Sequence, residues 1–357
     1  DTFASITRKD AGGLASISRA LGAGVLATGG LDYKYGSVDG RDHLTGAAPY
    51  SYDQGKTWTI APFVQLERKF LDDRLSLLAG LRYDNVSVYD GYTRNTQEGL
   101  DNVLPAKYWD KFSPKASAGW KYGDGLSQYL SYSKGFKAPT LESMVLSIKR
   151  QRIQMPNPGL KPESAGTVET GFRASPFDGL FFDPSLYFTR ADDLIYFNYY
   201  TVGATNYQVY KNLAKADIYG AELPLKYVIG PFTLSASYAQ SHSRVAEGAS
   251  GGVSIKDRQL TFAPRHIYSA GASCTLGAST VDASWMHKSR QYVDEFNTSS
   301  IGGYSTAALD LTRKVNANLA VSLGCDNVFN ERHMESDPKY NYLSPGRTFT
   351  GTVKLTF

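Results

Sequence analysis

Residues 128–173 open with QYLSYSKGFKAPTLESM and close, after a polar and basic interval, with NPGLKPESAGTVETGFR. In an extended chain Tyr129, Ser131 and Ser133 fall on one face, and Leu130 and Tyr132 on the other. A two-residue repeat with unlike faces predicts a β-strand. Gly135 and Pro139 bracket its end, because proline has no N–H to give a ladder and restricts the residue before it. A second proline-rich break, 156–162, precedes a strand in which Val168, Thr170 and Phe172 oppose Glu169, Gly171 and Arg173. The stretch reads as a strand rising through a membrane, a long loop outside, and a strand descending.

Composition supports a membrane barrel over a soluble sheet. With 25 Tyr and 17 Phe in 357 residues, the chain carries an aromatic load unusual for a soluble domain. No segment approaches the roughly 18 consecutive apolar residues of a transmembrane helix. A barrel passes that test unseen, since only alternate residues need be apolar. A formal charge of +4 gives no case for nucleic acid. The N-terminal DTFASITRKD is no signal peptide, so an exported chain would have a leader removed or lying outside this sequence.

The alternation recurs along the chain. Leu75, Leu77, Ala79, Leu81 and Tyr83 alternate with Ser76, Leu78, Gly80, Arg82 and Asp84. Val64, Leu66, Leu186, Phe188, Leu223 and Leu225 are assigned outward, and Gln65, Glu67 and Glu222 inward. The inner set is rich in Ser, Thr, Lys, Glu and Gly, which suits a wet lumen and not a dry core. Short turns such as LDDR at 71–74 alternate with long polar stretches, 37–56 and 89–108 among them, read as loops outside the cell. The fold class is therefore all-β, an antiparallel transmembrane β-barrel with about 14–16 strands in this chain. Cys274 and Cys325 fall on the outward set of non-adjacent strands and are expected as free thiols.

The pair GFKAP at 135–139 and NPGLKPE at 157–163 resembles the boxes of TonB-dependent outer-membrane receptors. The matching residues are Phe136, Ala138 and Pro139, then Asn157, Pro158, Leu160, Pro162 and Glu163. The last strand, with Phe349, Gly351, Val353, Leu355 and Phe357 in alternation, resembles the terminal signal of such barrels. The resemblance implies a 22-stranded barrel around a plug. Residues 1–357 would then be its last two-thirds or so, with plug and first strands absent. It also implies the bacterial outer membrane, with lipid and lipopolysaccharide around the wall, and a monomer energised by TonB through that plug. The boxes themselves are expected to be structural.

By the same resemblance the cargo is a scarce nutrient carried as a small-molecule metal chelate, a ferric siderophore first, with haem and cobalamin as relatives. Haem receptors of this type carry a histidine between the boxes, and 140–156 has none. Lys149, Arg150 and Arg152 could steer an anionic complex, bind lipopolysaccharide phosphates, or be simply solvated. Tyr196, Tyr199 and Tyr200, in the aromatic stretch 196–210, could stack on a planar ligand or belong to an interfacial girdle. No catalytic motif, cofactor site or metal-ligand spacing is evident; the five histidines are dispersed. A passive porin-like channel and an adhesive or phage-receptor barrel stay open.

Overall fold

A computed structural model describes residues 2–44, 50–148, 152–335 and 342–356. In chain order the strands are β1 (Thr2–Ala20), β2 (Val25–Leu44), β3 (Ser51–Phe70), β4 (Leu75–Asn95), β5 (Leu100–Leu104), β6 (Lys107–Gly123) and β7 (Leu126–Lys137). A short helix α1 (Leu141–Val145) is followed by β8 (Ile153–Met155), β9 (Glu163–Ala174), β10 (Leu180–Phe182), β11 (Ser185–Val202), β12 (Thr205–Ile229), β13 (Phe232–Ser250) and β14 (Val253–Ser254). Then come β15 (His266–Leu276), β16 (Ser279–Lys288), β17 (Gln291–Tyr292), β18 (Ser300–Ile301), β19 (Tyr304–Lys314), β20 (Leu319–Asp326) and β21 (Thr348–Leu355).

Fifteen of these strands form one antiparallel ladder among the described residues. Its order is β1, β2, β3, β4, β6, β7, β9, β11, β12, β13, β15, β16, β19, β20 and β21. Each strand pairs with the next in sequence, as an up-and-down barrel wall requires. Connections at one end are tight: Gly230 and Pro231 alone join β12 to β13, and Leu71–Arg74 join β3 to β4. At the other end several are long, as in 138–162, 251–265 and 289–303, which carries the predicted asymmetry, although β11 and β12 meet there through Gly203 and Ala204 alone.

The wall is greasy outside and polar inside. Outward Leu130 is 55% exposed, Val168 46% and Leu186 59%. Inward, the Arg82 guanidinium pairs with both Asp84 and Asp32, while the Tyr129 hydroxyl donates to Glu169 at 2.7 Å and Arg173 lies over the Tyr129 ring. An aromatic row crosses the outer face, as the interfacial girdle of a barrel would. There Tyr238 pairs in register with Tyr268, and Tyr268 with His287. Cys274 and Cys325 are free, half-buried thiols on β15 and β20, with β16 and β19 between them.

Two expectations are corrected. Residues 37–44 and 51–56 are strand, and so are 89–95 and 107–108. The strands run to 20 residues in β3 and 25 in β12, about twice what a tilted strand needs to cross the hydrocarbon. The ladder therefore continues above the membrane as a collar. The segment after β7 is not a loop outside. It turns inward and forms the larger of the two apolar clusters among the described residues, with Leu141, Met144, Val145, Leu146 and Ile148 all buried.

The barrel mouth as candidate functional site

The inward segment starts at the first box. Pro139 is buried at the turn, and Thr140 caps α1, its hydroxyl accepting from the Ser143 N–H at 3.3 Å. Such a cap satisfies an otherwise orphaned helix donor. The helix buries four of its five residues, and Glu142 is the exception. Its apolar residues meet Val38 of β2, Val88 of β4 and Leu160 of the second box. Two inward glycines let it lie against the wall. A Cβ at Gly40 would come within 2.8 Å of the Leu146 side chain, and one at Gly55 within 3.1 Å of Val145.

Beyond the helix, Ser147 is gripped on every polar atom by inward residues of β3 and β4. Its N–H donates to Asp53 Oδ2 at 2.8 Å, its carbonyl accepts from Ser51 Oγ at 2.8 Å, and its hydroxyl bonds Asn95 Nδ2 at 2.9 Å. Asp53 also accepts from Thr93 Oγ1 at 2.5 Å and from Ser51 Oγ at 3.1 Å. Asp53 is 1% exposed and lies in the collar, above the first strongly exposed outward side chain of its strand, Ile60. Burial pushes its carboxyl up to about 6, against the lowering effect of its three hydrogen bonds.

The second box fastens the projecting hairpin of β11 and β12. Asn157 Nδ2 donates to the Tyr210 carbonyl at 2.7 Å, and its Oδ1 accepts from the Gly159 N–H. Lys161 exchanges two backbone bonds with the Asn212 side chain, which also donates to the Asp193 carbonyl. Glu163 accepts from the Ile195 N–H at 2.7 Å and pairs with Lys137 at 3.3 Å. These contacts fall where β11 bulges, with Asp193 in the left-handed region at φ 57°. A bulge interrupts the ladder, and the box meets the backbone groups there. Asn157→Ala is expected to cost about 1–3 kcal/mol of local stability, read as faster proteolysis at the hairpin tip with the wall intact.

A recess of about 270 Å³ opens between these parts. Ile6, Leu146, Ile148, Phe197 and Tyr210 give it apolar and aromatic walls. The Phe197 and Tyr210 rings stack with centroids 4.0 Å apart. The Arg8–Glu142 ion pair, Gln154 and Gln208 supply polar groups. The recess thus offers a flat stacking surface, amide donors and acceptors, and a paired charge that can be exchanged.

The residues singled out from sequence fare unequally. Lys149 and Arg150 lie outside the described residues. Arg152 stands over the Tyr199 ring at 4.4 Å, so these two meet each other. Tyr196 is packed beside Leu194, Leu260 and Phe296 in a second apolar cluster, and burial raises its hydroxyl to about 12. Tyr200 stacks on Tyr207, whose hydroxyl donates to Glu98 at 2.9 Å. Residues 196–210 are thus mostly hairpin strand and not a loop. Phe136 is the half-buried partner of Ser164, and Ala138 and Pro158 are half-buried in the two turns. Pro162 is buried, as is Leu160 at 2% exposure. Sequence reading missed Arg8, Asp53, Glu142 and Ser147, and took Phe197 and Tyr210 only as part of the aromatic stretch 196–210. Carrying the strand alternation through 37–56 would have set Asp53 on the inner face.

Comparison with known proteins places this geometry. The chain is 29% identical over 221 residues to a hemin receptor of Yersinia pestis, covering 57% of this chain and 31% of that protein. It is 30% identical over 176 residues to hemoglobin-binding protein A of Haemophilus influenzae, covering 43% and 17%. The chain thus spans about a third or less of the curated relatives it matches. Among solved structures, the copper transporter OprC superposes with TM-score 0.77 at 18% identity, over all of this chain and 58% of that one. The ferric yersiniabactin uptake receptor FyuA of Yersinia pestis gives 0.75 at 17%, over 100% and 55%. These likenesses share the barrel fold. Residues 2–328 match the family model described as TonB dependent receptor-like, beta-barrel. The chain therefore belongs to the TonB-dependent receptor β-barrel family, whose members are proteins of the outer membrane.

Proposed function

We propose that this chain is the greater part of the wall and mouth of an outer-membrane receptor that imports an iron-bearing chelate. Energy comes from TonB through a plug carried elsewhere in the full protein. The observation that carries the reading is the mouth recess, where an inward-folded segment, the β11–β12 hairpin and β1 bring Arg8, Gln154, Phe197 and Tyr210 together. The recess stacks and hydrogen-bonds, and among the described residues none that lines it is His or Cys. That chemistry suits a complex that keeps its own metal donors, such as a ferric siderophore. Arg152 over Tyr199 adds a cationic edge to the neighbouring hairpin face, where it would attract an anionic complex. Haem is the second reading, favoured by the names of the curated relatives.

The test is cargo binding to the purified full receptor, by intrinsic fluorescence for ferric siderophores and by the absorbance of bound haem. Phe197→Ala, which removes half of the aromatic stack, is expected to weaken the true cargo about tenfold, or ~1.4 kcal/mol. Deletion of the receptor should abolish growth on that iron source. Unchanged uptake of every candidate, or a steady open-pore conductance in planar bilayers, would overturn the importer reading in favour of a channel.

A further inference from the structure

We propose that Asp53 is a positioning residue for the mouth recess and works as a proton-operated latch. It holds Ser147, and with it Leu146 and Ile148, against the barrel wall, and it grips harder as pH falls. The proposal rests on reading the recess as the cargo seat. Leu146 and Ile148 flank Ser147 in sequence and both line the recess, so the grip on Ser147 sets where that wall stands.

The geometry gives Asp53 this role. Its carboxylate receives the Ser147 N–H across 94 positions of sequence and receives the hydroxyls of Thr93 and Ser51 as well. Among the described residues no lysine or arginine forms an ion pair with it. The charged and titratable groups around it are few. Asp42, on the inner face of β2, is also buried, and its negative charge disfavours ionisation of Asp53 further. The Tyr50 hydroxyl bonds Asp42 at 3.4 Å and is pushed up to about 12, so it stays a donor throughout the acid range. Glu142, the acid on the inward segment, is held by Arg8. Among the described residues the desolvated carboxylate is therefore met by neutral donors.

The direction of the pH effect follows by linkage. With the segment seated, Asp53 titrates near 6; with the segment lifted and the carboxyl in water, it moves back toward the ordinary 3.8. The seated state binds the proton more tightly, so acid favours seating. The favourable contribution is complete below the lower value and fades as pH rises through the upper one. Between pH 7 and pH 5 the seated-to-lifted ratio should rise about tenfold. At neutral pH the latch is at its loosest, and the recess wall can move most readily.

The experiment is hydrogen exchange on the full receptor in detergent, without cargo, following the peptide that contains Ser147 and correcting each rate for the intrinsic pH dependence of exchange. Wild type should gain about tenfold protection from pH 7 to pH 5. Asp53→Asn, which keeps an acceptor for the Ser147 N–H and carries no charge, should be well protected at pH 7 and lose the pH dependence. Asp53→Ala should be poorly protected at both. Asp42→Asn, which removes a charge that raises Asp53, should keep a pH dependence with its midpoint moved to lower pH. A flat wild-type profile, or an Asn variant with the wild-type slope, overturns the latch. Should the Asn variant fail to assemble, the wild-type series still decides. Because no cargo is present, a failed cargo assignment leaves this outcome unaffected, and the reverse holds too.

Discussion

Leu160→Asp is expected to release the mouth segment while leaving the barrel wall standing. Leu160 is in the second box and 2% exposed, enclosed by the cluster of Val38, Val88, Leu141, Met144, Val145, Leu146 and Ile148. Truncating such a side chain to alanine costs about 2–5 kcal/mol through lost contacts and the cavity left behind. An aspartate adds the cost of a buried charge with no cation among those neighbours. The loss has one outlet. The ladder strands below are held by their own backbone bonds and do not depend on this cluster, whereas α1 and the segment to Ile148 rest on it together with the few polar contacts at Ser147 and Glu142. Limited proteolysis should therefore show new cleavage within 140–160, while the heat-modifiable gel band of an assembled barrel persists. Leu160→Ala should show the same pattern more weakly. An unchanged digestion pattern in the aspartate variant would mean that the segment is held from elsewhere.

The same residues show how far the sequence could be read. Leu75 to Asp84 alternates cleanly because hydrocarbon demands apolar side chains on one face and the lumen tolerates polar ones on the other. Above the membrane that demand ends. Ser37, Asp39 and Arg41 point out of the collar while Val38, Gly40 and Asp42 point in, yet no apolar stripe marks them. Their strand state comes from ladder bonds to β1 and β3, which leave no trace in residue type. Hence 37–56 looked like a loop. The inward segment carries its own signal. LESMVLSI puts five large apolar residues into eight positions, too many for a loop in water. The boxes were legible as structural, but not what they fasten. The reach of Asn157 to Tyr210 and of Glu163 to Ile195 spans the β11 bulge, and nothing local to the box announces a bulge some 30 residues later. Tyr196, Tyr199 and Tyr200 were legible as aromatic, but stacking partners are set by register, which the sequence alone left open.

The sharpest physical test of the barrel uses two neighbouring positions. Leu130→Arg is expected to destabilise the barrel by about 2–4 kcal/mol, the cost of placing a guanidinium near the middle of the bilayer on the lipid side. Leu130 belongs to an outward row that runs Leu77, Ala118, Leu130, Thr170 and Leu186 across five strands. This row offers an arginine no anion. Ser131→Arg moves the same side chain one residue along and so to the other face. There Ser131 is in register with Glu169, a carboxylate that accepts from the Tyr129 hydroxyl and can take an ion pair. That variant should change stability by less than about 1 kcal/mol. Urea titration of the protein folded into liposomes reads both. The contrast matters more than either value, since the two variants share charge, size and strand and differ only in the face presented. Equal losses would mean that this stretch is not in a bilayer. A larger loss at Ser131 would mean that lipid contacts the opposite face, and the family's architecture would then be turned inside out in this chain.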